Sequence, residues 1–254
     1  IGTVRVYYYD SHGRVIQLVE QNSLGGILRI SYDYDYNGNI LSSLQHYSHT
    51  GDGETVLCDQ SYLQAFTYDN RGRLLSETAE FLTDNEQSQQ AEVNYTYDDL
   101  GTLIEKKYDG GLNAFRESLS YNIQGWLTSK EVTSINDIGG GIIKGRSLAD
   151  SLIGSITPIP VTIPVFSMDL HYYDPTKTTT TPSYSGNITE WEWQFAPGDD
   201  QNLYAFSYDG LSRLTDTRQY INGTASNQHV ERQMQYDRNG NIKRLQRVRD
   251  GDYV

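Results

Sequence analysis

One short string constrains this chain more than any other feature. Tyr-Asp-x-x-Gly-x-aliphatic occurs in strict form at YDSHGRV (9–15), YDYNGNI (34–40), YDNRGRL (68–74), YDDLGTL (97–103) and YDRNGNI (236–242). Equivalent positions are thus held by Tyr9, Asp10 and Gly13; Tyr34, Asp35 and Gly38; Tyr68, Asp69 and Gly72; Tyr97, Asp98 and Gly101; and Tyr236, Asp237 and Gly240. Two near copies follow the same plan: Tyr121 and Gly125 with Asn122 for Asp, and Tyr208 and Asp209 with Ser212 for Gly. A more worn copy is YSGNITEW (184–191). In chain order, the copies starting at Tyr9, Tyr34, Tyr68, Tyr97 and Tyr121 are spaced 25, 34, 29 and 24 residues apart. A unit of that length holds two strands and two turns, and self-similarity at such a period marks a repeat architecture.

The residues between copies alternate. Over 28–36, Leu28, Ile30, Tyr32, Tyr34 and Tyr36 fall on one face, and Arg29, Ser31, Asp33 and Asp35 on the other. Period two is a strand signal, whereas a helix would repeat its apolar positions at i, i+3 and i+4. Composition agrees: 21 Tyr against 6 Phe and 3 Trp, with 23 Gly to supply turns. The motif's letters have physical reasons. Asp opening a turn accepts nearby backbone N–H groups, and Gly three residues later takes the left-handed conformation that closes a hairpin with a bulge. Tyr lays its ring on the sheet and keeps its hydroxyl for a partner. The expected fold is all-β, tandem antiparallel hairpins added side by side.

Asp33, Asp35, Asn37 and Gly38 also imitate the start of an EF-hand calcium loop, but the twelfth position is Leu44 and the flanks are strand-like. The turn reading wins, and neither a metal site nor a cofactor motif is expected. The net charge of −13 argues against nucleic acid, and the basic residues of the last 25 positions are interleaved with acids. Cys58 is alone, which excludes an internal disulfide, and no apolar run of 18 residues suggests a membrane span. With no initiator Met or signal peptide, and a strand-like run at residue 1, the expectation is a fragment of a longer protein.

These motifs resemble the YD-repeat, or RHS-repeat, family: bacterial rearrangement hotspot proteins, shell subunits of insecticidal toxin complexes, and teneurins. The stretch FSMDLHYYD…PSYSGNITEWEWQF…YAFSYDGLSRL (166–214) is most similar to members from Bacteroidetes. The resemblance implies a long, spirally wound sheet of hairpins forming a shell around another polypeptide, in bacteria a variable C-terminal toxin. It also implies a secreted or envelope location. No segment resembles the family's shell-closing core, so neither autoproteolysis nor toxicity transfers to this chain.

A single unit is expected over 1–254: a first hairpin array at 1–136, an inserted Gly/Pro-rich loop at 137–165 and a second array at 166–254. The three Pro of the insertion argue against a central strand there. Polar loops are expected at 48–54, 84–90 and 174–182. GGIIKGRS (140–147) misses a P-loop because Arg146 stands for its Lys. Sequons at Asn94, Asn187 and Asn222 carry little weight in a bacterial setting. Asp98 with Asp99, or Glu190 with Glu192, are nominal acid pairs. Residues two apart on a strand, like Glu190 and Glu192 opposite the Trp face, share one face and more often simply wet it. His46 with His49 is a nominal metal pair. None makes a catalytic constellation, and no enzyme is expected. The sharpest alternative is a surface adhesion module in which Trp191, Trp193 and Phe195, on one strand face, form a platform for glycan or a neighbouring cell's protein.

Overall fold

The computed structural model describes residues 2–51, 56–82, 90–109, 114–136, 161–226, 228–249 and 252–253. The polar loop at 84–89 and the P-loop-like stretch lie outside them, as do 52–54 and 137–160. All regular structure among the described residues is β. The first strands are β1 (Val4–Tyr9), β2 (Val15–Gln21), β3 (Ile27–Tyr34), β4 (Ile40–Thr50), β5 (Val56–Tyr68), β6 (Leu74–Leu82), β7 (Gln90–Tyr97) and β8 (Leu103–Asp109). There follow β9 (Ala114–Tyr121), β10 (Leu127–Asn136), β11 (Val161–His171), β12 (Glu190–Gln194), β13 (Asn202–Tyr208), β14 (Leu214–Ile221) and β15 (Thr224–Ser226). Strands β1 to β15 form an antiparallel sheet whose order is the chain order, and β16 (His229–Tyr236), β17 (Ile242–Arg249) and β18 (Asp252–Tyr253) form a second. No helix among the described residues is long and apolar enough to cross a membrane.

Each strict motif copy joins two neighbouring strands and places a bulge at its Tyr. Tyr8 pairs with Gln17 but Tyr9 with Val15, so one residue of the returning strand is extra. The same shift precedes Tyr34, Tyr68, Tyr97 and Tyr208. Bulges of this kind twist the strand pair and fix its register.

The chain divides into two compact units, 1–114 and 115–254. Their interiors differ. Among the described residues, the buried apolar side chains are Tyr172, Leu203, Ala205, Val230, Met234 and Val248, all of the second unit. In the first unit β1 is exposed along its whole length, and the later strands are mostly half-buried, as in β8, where every residue is intermediate. In the second unit, β16 lies beside β14 and is tied to it by side chains: Thr217 Oγ1 accepts from the Glu231 amide (2.8 Å) and donates to its carbonyl (3.0 Å).

Three expectations need correction. Residues 48–50, expected in a polar loop, are the end of β4 (Ile40–Thr50). Residues 161–165 are not loop: they open β11, which sits between β10 and β12 with Pro164 inside it. A bulge admits the proline, since Val132 pairs with Phe166 and Thr133 with Pro164. Tyr36 does not continue the apolar face of β3, which ends at Tyr34; Tyr36 is in the turn and fully exposed.

Candidate functional site

The recurrent structure is the junction between one repeat and the next. It starts with a carboxylate. In YDSHGRV the Asp10 Oδ1 accepts from the amides of His12 (2.8 Å) and Arg14 (2.9 Å), and Oδ2 from Arg14 Nε (2.7 Å). The Asp10 amide donates to the Arg14 carbonyl (2.9 Å), and Gly13, at φ 79°, donates to the Asp10 carbonyl (3.1 Å). Asp69 and Asp209 repeat this with Arg73 and Arg213; Asp35 and Asp237 use Asn39 and Asn241. These donors favour the ionised form. The Arg14 amide holds Asp10 down at about 2, and Asp35, Asp69, Asp209 and Asp237 are shifted in the same direction. Asn122 closes its turn with its amide oxygen instead.

In five copies the Tyr then reaches back. Tyr34 Oη donates to the carbonyl of Val15 (2.6 Å), the aliphatic residue that ends the preceding copy. Tyr68 does so to Ile40 (3.0 Å), Tyr97 to Leu74 (2.9 Å) and Tyr236 to Leu214 (2.6 Å). Tyr208 reaches Ile188 of the worn copy (2.6 Å). Burial raises the hydroxyls of Tyr68 and Tyr208 above the ordinary phenol value.

A third residue, not singled out in the sequence, completes the junction. The side chain after the Gly lies over the next repeat's Tyr ring: Arg14 on Tyr34, Arg73 on Tyr97 and Arg213 on Tyr236, each 4.7 Å from the centroid. Arg14 and Arg213 also donate to the carbonyls of Asp35 and Asp237 (3.2 Å each). At YNIQGWL this position is Trp126, whose ring centroid lies 5.0 Å from that of Tyr172, and Tyr172 donates to the Leu127 carbonyl (2.9 Å). One side chain therefore clamps its own turn's Asp and the following repeat. The signal available in the sequence was Arg after Gly or Ser in three copies. Asn22 was also missed: it builds the same turn between β2 and β3, with Gly25 at φ 88°, but lacks the Tyr that marks the others.

The other nominated residues lie elsewhere. Asp33 accepts from Ser42 Oγ (2.9 Å), away from the Asp35 turn. Asp98 closes its turn on the Thr102 amide (2.8 Å), and Asp99 is exposed in that turn. His46 bonds Asp59 (2.7 Å) across β4 and β5, while His49 is paired in register with Cys58. No group of three or more His, Cys, Asp or Glu among the described residues is placed to hold a metal ion. Glu190 is fully buried, its carboxylate accepting from the amide (2.6 Å) and hydroxyl (2.8 Å) of Thr176, the Lys177 amide (2.9 Å) and the Thr180 hydroxyl (2.7 Å). It organises the 174–182 loop rather than wetting a strand face. Glu192 bonds Gln201. Trp191 stacks on Trp193 (4.4 Å), Trp193 on Tyr204 (5.4 Å) and Tyr204 on Phe206 (6.3 Å), a row across β12 and β13. Phe195 packs on Phe166 (5.7 Å). Part of the row walls a cleft of about 390 Å³ that Val230 and Val248 close from the second sheet.

No family model matches this sequence, and no curated protein does. Solved structures do. A crystal structure of TcdB2-TccC3-TEV superposes with a TM-score of 0.50 at 14% identity, over 96% of this chain. The chain has the fold of a TcdB2-TccC3 segment. It spans only 11% of the length of that chain. A crystal structure of TcdB2-TccC3 without its hypervariable C-terminal region aligns over 98% of this chain and 15% of that one, at 12% identity and a TM-score of 0.29.

Proposed function

We propose that this chain is a non-catalytic wall segment: a run of β-hairpin repeats that helps to build a shell enclosing or supporting another polypeptide, such as a C-terminal toxin. The observation that carries the reading is where the motif's side chains are spent. Asp closes the turn, Tyr binds the preceding repeat and Arg or Trp covers the following Tyr, so the signature joins hairpins to one another. The fold shared with TcdB2-TccC3 and the resemblance to YD repeats support the same conclusion. Partners on this reading are the rest of a longer natural chain, and its place is outside the cell or in the envelope.

Limited proteolysis of the natural chain containing these residues tests enclosure. A segment beyond the repeats should resist protease and become sensitive when a junction such as Tyr68 is replaced by Ala. Immediate digestion of that segment, with the repeats intact, would overturn it.

A further inference from the structure

The worn copy releases a tyrosine from the junction. In YSGNI only one residue separates Tyr184 from Gly186, against three in the strict copies, and Tyr172 instead binds the preceding Leu127 carbonyl. Tyr184 is 80% exposed. It lies parallel to Tyr173, centroids 6.0 Å apart and planes 7° apart, which holds one face and leaves the other open.

Beside it runs a groove of about 580 Å³ whose lining includes Thr181, Ser183, Ser185, Asn187 and Ser207 together with the apolar Pro182 and Phe206. Its one formally charged lining residue, Asp209, is already taken by Arg213 and by the amides of Leu211 and Arg213. The lining includes no Lys or Arg. What it offers is a set of neutral hydroxyl and amide groups that both donate and accept, next to an open aromatic face. An anion finds no cation there, and a purely apolar ligand would leave those polar groups without partners. A sugar ring matches both features, with one C–H face to stack on an aromatic and a rim of hydroxyls. We propose that the groove beside Tyr184 binds a neutral pyranose, its C–H face on the Tyr184 ring and its hydroxyls on Asn187 and the neighbouring Ser and Thr side chains. This site is separate from the Trp191–Trp193 row and independent of the wall reading.

The test is saturation-transfer NMR and calorimetry on the full 254-residue chain. The probes are neutral oligosaccharides ending in glucose, galactose or N-acetylglucosamine, with sialylated and sulfated counterparts. At least one neutral probe should bind, Tyr184→Ala should weaken it at least about tenfold, and Tyr184→Phe should stay within about threefold. Because Tyr184 is so exposed, both variants should melt like the parent; if Tyr184→Ala does not, Asn187→Ala takes its place in the comparison. Absence of binding to every neutral probe at millimolar concentration would overturn the proposal. So would binding that survives Tyr184→Ala but is lost in Trp193→Ala, or binding to the anionic probes alone.

Discussion

At the scale of the residue, the Tyr hydroxyl has the plainest consequence. Tyr208 is half-buried, and its hydroxyl holds the Ile188 carbonyl at 2.6 Å. Tyr208→Phe keeps the ring and removes one donor, so chemical denaturation should show a loss of about 1 kcal/mol. The same bond sets an alkaline limit. Burial raises Tyr68, Tyr172 and Tyr208 above the ordinary 10.0, because a phenolate is poorly solvated there and has no proton to donate. A folded value above the unfolded one gives stability that is complete below about pH 10 and lost as pH rises through the folded value. Melting temperature should therefore fall above pH 10, and fall less steeply in a Tyr68→Phe/Tyr208→Phe double variant; equal slopes would count against ionisation at the junction. The turn's backbone gives a second test. Ser212 occupies the Gly position at φ 61°, and Gly72 the same position at φ 78°. A left-handed conformation costs an L-residue about 1–2 kcal/mol. Ser212→Gly should raise stability, by less than about 1 kcal/mol once the freer unfolded chain is counted. Gly72→Ala should lower it by about 1 kcal/mol or more on conformation alone, since nothing lies within 4 Å of the added methyl.

At the scale of the element, the structure shows why some of the molecule was readable in its letters and some was not. The turns were readable because each is local: Asp69 meets Arg71 and Arg73 within four residues, and Gly72 carries the sign of φ in its identity. The junctions were half readable. The Tyr hydroxyl announced a need for a partner, but its acceptor is a backbone carbonyl more than 18 residues away, and every residue has one. Pro164 looked like a strand breaker because the bulge that admits it is a property of two strands, visible only when Val132 and Thr133 are opposite. Glu190 misled for a related reason. Alternation put it on the wet side of β12, and it would be there had the 174–182 loop not folded over it. Its carboxylate gathers four donors at no exposure. Glu190→Ala would leave those donors without an acceptor, each such loss being worth about 1–3 kcal/mol when the group stays buried. Water entering the opened loop should hold the total near 3 kcal/mol. The companion signature is hydrogen exchange: the Thr176 and Lys177 amides should lose protection while those of β2 and β3 keep theirs.

At the scale of the whole molecule, the two units should not melt alike. Complete burial of apolar side chains is the largest favourable contribution to most folds, on the order of 2 kcal/mol for each large side chain. Among the described residues, those side chains belong to the second unit, where Leu203 and Ala205 of β13 and Val230, Met234 and Val248 of β16 and β17 are buried. The first unit rests on half-buried strand faces and on its repeat junctions, such as Tyr68 on Ile40 and Tyr97 on Leu74. A region with fewer buried apolar contacts opens at lower free energy. The chain carries its own reporters for this difference. All three Trp residues, Trp126, Trp191 and Trp193, are in the second unit, whereas strand content is spread over both. Heating followed by far-UV circular dichroism should show signal lost before tryptophan fluorescence moves, with the fluorescence midpoint several degrees higher. Lack of coincidence between probes is the accepted sign that unfolding is not two-state. Tyr97→Phe should lower the first midpoint and leave the fluorescence midpoint in place. Coincident midpoints that shift together in that variant would mean that stability is shared along the repeats, as nearest-neighbour coupling in a repeat array allows, and that burial within each unit does not decide the order.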